Sequence, residues 1–144
     1  MRILGVDFGF KRIGLAIAES EPPIATSRAF IEASGSLAGD ARRLVEIGRK
    51  EEVDRVVVGL PLEDGREGRM ARLCRTLAGH IRASGLDVDL VDESLTSVEA
   101  AAMHGELKAS QRRKLKDGEA ARLILERYLA GGLRIEGRSD GVVE

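Results

Sequence analysis

Three observations predict an α/β fold built on a mixed sheet. The first 31 residues carry three short apolar runs, separated by gaps too short for anything but antiparallel neighbours. From Ala41 onward the apolar residues recur at helical spacing. Between two such helical stretches lies Arg55–Leu60 (RVVVGL), a continuous β-branched run of the kind buried on both faces of a parallel sheet.

Each element follows in order. Arg2–Val6 (RILGV) is a short apolar strand, and a glycine-containing turn at Gly9–Arg12 leads to Ile13–Ala18 (IGLAIA). After the Pro22–Pro23 break comes Ile24–Ile31 (IATSRAFI), completing a meander. Ala41, Leu44, Val45 and Gly48 define one helical face. The strand Arg55–Leu60 follows, and Glu63–Gly68 (EDGREG) reads as a polar loop. Met70, Leu73, Cys74, Leu77, Ala78 and Ile81 form a second helical stripe, with Gly85 suited to its C-terminal cap. Val88–Val91 is a further short strand. Thr96, with Glu99 three residues on, reads as a capping box opening a helix. A last helix carries Ala121, Ile124, Leu125 and Tyr128 on one face, and Gly131–Glu144 has no periodicity and is expected to be a flexible tail. The order βββ-α-β-α-β-αα gives a five-stranded mixed sheet, an antiparallel three-strand meander continued by parallel strands, flanked by helices. A single domain over residues 1–130 accounts for the pattern.

Composition narrows the chemistry. Of 144 residues, 23 are Lys or Arg and 24 are Asp or Glu, for a net charge of −1, so the domain-wide basic excess common in nucleic-acid binders is absent. Three Phe, one Tyr and no Trp argue against a sheet that reads bases by stacking on several rings. One Cys excludes an internal disulfide and a multi-Cys zinc site. Two His exclude a three-His metal site, so any metal must rest mainly on carboxylate oxygens. No apolar run approaches the ~20 residues of a membrane span and no signal peptide is evident, so a cytoplasmic protein is expected, as a monomer or weak dimer.

The acids carry the clearest chemical signal. Asp7 lies at the end of the first strand among apolar residues. A buried lone carboxylate is costly, so it must cap a turn, pair with a base or ligate a metal. Asp92 and Glu93 end the fifth strand, where they can complement the next helix dipole, and alternation lets only one of them join a site on a given face. Asp117 precedes the last helix, as an N-cap or as an acid on the face of Ala121, which packs toward the sheet. Converging carboxylates repel one another, and divalent cations resolve that conflict. Two Mg²⁺ ions ~3.5–4 Å apart can stabilise the attacking and leaving oxygens of a phosphodiester displacement.

The remaining candidates are less specific. Lys11 and Arg12 in the first hairpin can grip a phosphate or be solvated turn charges. Lys108–Lys116 (KASQRRKLK) holds five basic residues and no acid, either a solvated face or a strip gripping a phosphate backbone through Arg112, Arg113 and Lys114. His80 and His104 read as surface residues and Cys74 as a small core residue. Neither a P-loop nor a GxGxxG fingerprint is present.

Four blocks together resemble a known family. DFGFKRIG at Asp7–Gly14, VVGLPLEDGREG at Val57–Gly68, DESLTSVE at Asp92–Glu99 and DGEAARLILERYL at Asp117–Leu129 are similar, in order and spacing, to the YqgF/RuvX family of Holliday-junction-resolvase-like or pre-16S rRNA nucleases. The resemblance implies a ribonuclease H-like fold. It also implies a nuclease dependent on Mg²⁺ or Mn²⁺ that processes the 5′ end of pre-16S rRNA during ribosome biogenesis. Carried over by motif, Asp7, Glu93 and Asp117 would be the metal-ligating catalytic acids, and Lys11 and Arg12 substrate contacts. Ser94 stands where the family pattern has Arg, and Glu19–Ser20 where it has Ser-Asp.

The leading expectation is therefore metal-dependent phosphodiester hydrolysis. The alternatives are a resolvase acting on Holliday junctions or other structured DNA, and an actin- or hexokinase-like phosphotransferase, whose phosphate hairpin DFGFKRIG also fits. A non-catalytic nucleic-acid-binding module on the same fold is a further one.

Overall fold

The computed structural model describes residues 1–93, 119–131 and 134–136. The meander forms as its sequence dictates: β1 (Arg2–Phe8), β2 (Arg12–Ser20) and β3 (Pro23–Glu32) pair antiparallel in succession. Helix α1 (Leu37–Lys50) starts where the Ser36 side chain accepts from the Gly39 N–H at 3.0 Å, and Arg49 and Lys50 in its last turn complement its dipole. Strand β4 (Arg55–Leu60) then enters the sheet parallel to β1. Helix α2 (Arg69–Ala83) carries the chain to β7 (Asp87–Asp92), which pairs parallel with β4. Helix α3 (Ala120–Leu129) packs on the opposite face of the sheet from α1 and α2.

Two short segments depart from expectation. The polar loop is a miniature hairpin, β5 (Leu62–Glu63) with β6 (Arg66–Glu67). Its corner places Asp64 at φ 53° and Gly65 at φ 73°, the double left-handed turn that Asp-Gly favours. In the segment expected to be a flexible tail, β8 (Arg134–Glu136) pairs antiparallel with β7. The sheet is thus six-stranded, in the order β3-β2-β1-β4-β7-β8. Three residues carry no readable periodicity, and the open edge of β7 supplies β8 with its partner. The capping box at Thr96 and Glu99 lies outside the described residues, among which no helix is long and apolar enough to cross a membrane.

The two faces of the sheet differ in side-chain size. Toward α1 and α2 it presents Leu4, Val6, Ile13, Leu15, Ile17, Val56, Val58 and Leu90, all buried. Toward α3 it presents Ile3, Ala16, Ala18 and Val57, with Gly5 and Gly59 between them. A Cβ on Gly5 would lie 2.5 Å from Leu125 Cγ, and one on Gly59 would lie 2.6 Å from Ile124 Cδ1. Helix α3 therefore rests almost on the backbone of β1 and β4.

Polar anchors fix α3 at both ends. At its C-terminal end, Tyr128 donates to Asp89 Oδ2 at 2.5 Å, and Arg55 Nη1 donates to both Asp89 Oδ2 and Tyr128 Oη at 2.8 Å. Asp89 is fully buried, so a partner is obligatory. Burial works against the Arg55 charge, but the hydrogen bond and charge of Tyr128, together with Asp89, outweigh it and hold the guanidinium above its ordinary value. At the N-terminal end, Ser27 Oγ donates to Glu119 Oε1 at 3.0 Å, tying the helix to β3.

Close packing at Gly5 makes a direct prediction. Gly5→Ala is expected to destabilise the protein by about 1–3 kcal/mol through overpacking against Leu125. Combining it with Leu125→Ala is expected to cost less than the sum of the two single changes, because the methyl then occupies vacated space. Urea unfolding of the four proteins in the cycle measures this, and strict additivity would contradict the contact.

Candidate active site at the carboxyl edge of the sheet

Strands β1, β4 and β7 run parallel, so their carboxyl ends share one edge of the sheet. From β1 the chain steps outward to β2 and β3, then returns to β4 on the other side of β1. The β1/β4 junction is where the strand order reverses, and open α/β sheets bind ligands outside the carboxyl ends of strands at that point.

Asp7 occupies this point. Ile3 and Gly5 face α3, and alternation puts Asp7 on the same face, half-buried, two residues further along β1. Glu93 follows β7 directly, with its N–H donating to the Leu60 carbonyl at 3.0 Å. Val91 faces α3, so Glu93 does too, whereas Asp92 shares the opposite face with Leu90. The strand register sets Asp7 level with Gly59, one step beyond the Val6–Val58 pair.

Gly59 is what lets the Glu93 side chain lie over β4. A Cβ there would collide with Glu93 Oε1 and lie 3.1 Å from its Cδ. The Glu93 side chain thus folds back over the bare backbone of β4 toward β1. Two strand spacings separate β1 from β7, about 9–10 Å, and the longer side chain of glutamate narrows that gap.

The field of both carboxylates reaches Cys74, buried on α2 beneath this edge. Burial first, then the charges of Glu93 and Asp7, push its thiol from 9.0 up to about 12. Carboxylate oxygens are hard donors that suit Mg²⁺ or Mn²⁺ and offer nothing to soft metals, and among the described residues no third potential ligand joins them. In their donor chemistry, the residues present fit such an ion.

The other expected residues are placed as follows. Lys11 and Arg12 are exposed on the β1–β2 hairpin, and the Arg12 guanidinium lies 4.6 Å from the Phe30 ring centroid. His80 is exposed and Cys74 is core, as expected. Asp117, Arg112, Arg113, Lys114, Ser94 and His104 lie outside the described residues. Sequence reasoning did not single out Gly59 from the other strand-end glycines. Its signal was a glycine within a β-branched run, which marks close approach of another group.

The fold is that of the ribonuclease H-like resolvases. RuvC of Thermus thermophilus, in complex with a Holliday junction substrate, superposes with a TM-score of 0.55 at 16% identity, over 91% of this chain and 94% of that one. The fowlpox virus Holliday junction resolvase gives 0.53 at 16% identity, over 91% and 99%.

The chain belongs to the RuvX family, whose model, described as Holliday junction resolvase, matches residues 1–131. A relative from Anaeromyxobacter sp. (strain K), named "Putative pre-16S rRNA nuclease", is 44% identical over 90% of this chain and 96% of its own length. One of the same name from Thermus thermophilus is 34% identical over 92% of this chain and its full length. Membership of this family places the chain among nucleases.

Cys74 provides a test of its burial beneath this edge. An unfolded thiol ionises near 9.0 and the native one near 12, so the native state keeps its full stability below 9.0 and loses it as pH rises toward 12. At pH 9.0 a thiol reagent should leave the folded protein unmodified and react once denaturant is added. Rapid modification of the folded protein would contradict this placement.

Proposed function

We propose that this chain is an endonuclease that hydrolyses phosphodiester bonds with two Mg²⁺ or Mn²⁺ ions, and that it trims the 5′ end of pre-16S rRNA in the cytoplasm. The observation that carries the reading is Glu93 lying over Gly59, the residue level with Asp7 at the β1/β4 switch point. The name shared by the curated relatives supports rRNA as substrate. The description of the family model supports branched DNA as the second reading.

Asp7 and Glu93 would hold the metal ions from β1 and β7, with Asp117 as the third acid ahead of α3. When bound, the ions lower the pKa of water and offset charge on the attacking and leaving oxygens. The rigid strands fix the two carboxylates before substrate arrives, so little reorganisation is needed at the reacting centre. Lys11 and Arg12 on the adjoining hairpin orient the phosphate backbone by charge. Arg112, Arg113 and Lys114 extend that grip along the strand.

Two experiments test this. Incubated with pre-16S rRNA precursor and with four-way DNA junctions, the protein should cleave RNA in Mg²⁺ or Mn²⁺ and neither substrate in EDTA. Asp7→Asn and Glu93→Gln should each lower cleavage more than about 100-fold, beyond the ~10–100-fold typical of partners one step removed from a metal. Both variants should keep native secondary structure. Junction cleavage without RNA cleavage would favour the second reading. Separately, replacing Arg112, Arg113 and Lys114 by Ala should flatten the log–log salt dependence of RNA binding by about 2–3, at ~0.7–0.9 per phosphate contact. An unchanged slope would remove these residues from the binding surface.

A further inference from the structure

Phe10 stands out on the surface beside the proposed site. It is 62% exposed at the tip of the β1–β2 hairpin, three residues after Asp7. A single exposed apolar residue needs no special explanation. What sets this ring apart is its surroundings. The Arg69 guanidinium from the start of α2 lies 5.7 Å from its centroid. Both residues line a groove of about 230 Å³ whose lining also includes Phe8, Leu37, Asp40 and Leu73. That is smaller than the ~300–1,000 Å³ of pockets for drug-sized ligands, and it suits one flat ring.

Charge decides what kind of ring. Arg69 lies over Phe10 and Lys11 follows it in the hairpin, while Arg12 turns to Phe30; all three cations are exposed. The acid in the groove, Asp40, is buried, accepts from the Ser34 N–H at 3.0 Å and pairs with Arg43 at 3.2 Å, so its charge is offset. A flat apolar surface set among cations matches a base flanked by phosphates. Three residues of chain reach at most about 10 Å, which keeps the Phe10 backbone within that distance of Asp7. The hairpin is held in place by β1–β2 pairing through Phe8–Ile13 and by the Ala33 N–H donating to the Lys11 carbonyl at 2.9 Å.

We propose that Phe10, braced by Arg69, is the stacking platform for one unpaired nucleobase next to the scissile phosphate. This rests on the nuclease reading above and adds to it a single-stranded or unstacked substrate at the cleavage point. The low aromatic content limits stacking to about this one base, and the backbone contacts supply the rest of the grip.

The test is binding in EDTA, which separates stacking from cleavage. The probe is a single-stranded RNA oligonucleotide with the fluorescent base 2-aminopurine moved along it, together with a version abasic at the responsive position. The parent protein should quench the probe at one position. Phe10→Ala should abolish that quench and weaken binding about 5- to 150-fold, the range for loss of one stacked base. It should cause little further loss on the abasic strand, and Phe10→Trp should restore both quench and affinity. Equal weakening on normal and abasic strands, or an unchanged quench in Phe10→Ala, would overturn the proposal. So would unaltered RNA binding with loss of a concentration-dependent dimer, which would assign the ring to a second copy of the chain. In either case the nuclease reading stands if Asp7→Asn still abolishes cleavage. A parent protein that binds no nucleic acid defeats both readings.

Discussion

The seating of α3 on a floor of glycine and alanine is the constraint on which the rest of this structure depends. One face of the sheet is covered by two helices over large aliphatic side chains. The other receives a single described helix over Gly5, Ala16, Ala18 and Gly59, close enough that a methyl group at either glycine would collide with Leu125 or Ile124. Close packing of this kind gains dispersion contacts but tolerates almost no added volume. Small residues are therefore required in alternate positions of β1, β2 and β4, whereas the intervening positions stay large.

The same constraint shapes the site. Gly59 admits both Ile124 and Glu93, so one missing side chain serves both the helix and the glutamate. The Arg55–Asp89–Tyr128 clamp lies toward the opposite, amino-terminal end of the parallel strands. There a buried carboxylate is balanced by a guanidinium and a hydroxyl in direct contact, which pins the end of α3 furthest from the acids. Fixing that end and tying Glu119 to Ser27 at the other leaves α3 little freedom to slide.

Much of this was legible in the sequence. The meander, the two βα units and the stripe of α2 follow from periodicity, because burial on one face imposes a regular spacing. Strand alternation allowed only one of Asp92 and Glu93 to join a site and the family motif pointed to Glu93; in the structure Glu93 falls on the α3 face with Val91, and Asp92 on the other face with Leu90. The Asp64–Gly65 hairpin carried its signal in the Asp-Gly pair but was too short to register as strands. Strand β8 could not be read, since its pairing comes from the edge of β7 rather than from its own residues. The Arg55–Asp89–Tyr128 network was equally hidden, because its members are 34 and 39 positions apart and meet only through tertiary packing.

A net charge of −1 looks indifferent to nucleic acid, but the fold separates the signs. Helix α2 carries Arg69, Arg72, Arg75, His80 and Arg82 without one acidic residue, and its first residue stands beside the Phe10 ring. Arg75 is taken up by Glu67, whose carboxyl the guanidinium holds below its usual range, while Arg69 and Arg72 are exposed along the helix. The acids Asp7 and Glu93 are confined to the edge between this helix and α3. A phosphate within the ~8–10 Å screening length of exposed Arg69 and Arg72 feels their charge, and one further off feels little of either sign. The sum of the charges therefore says little about the potential at any one edge of the fold.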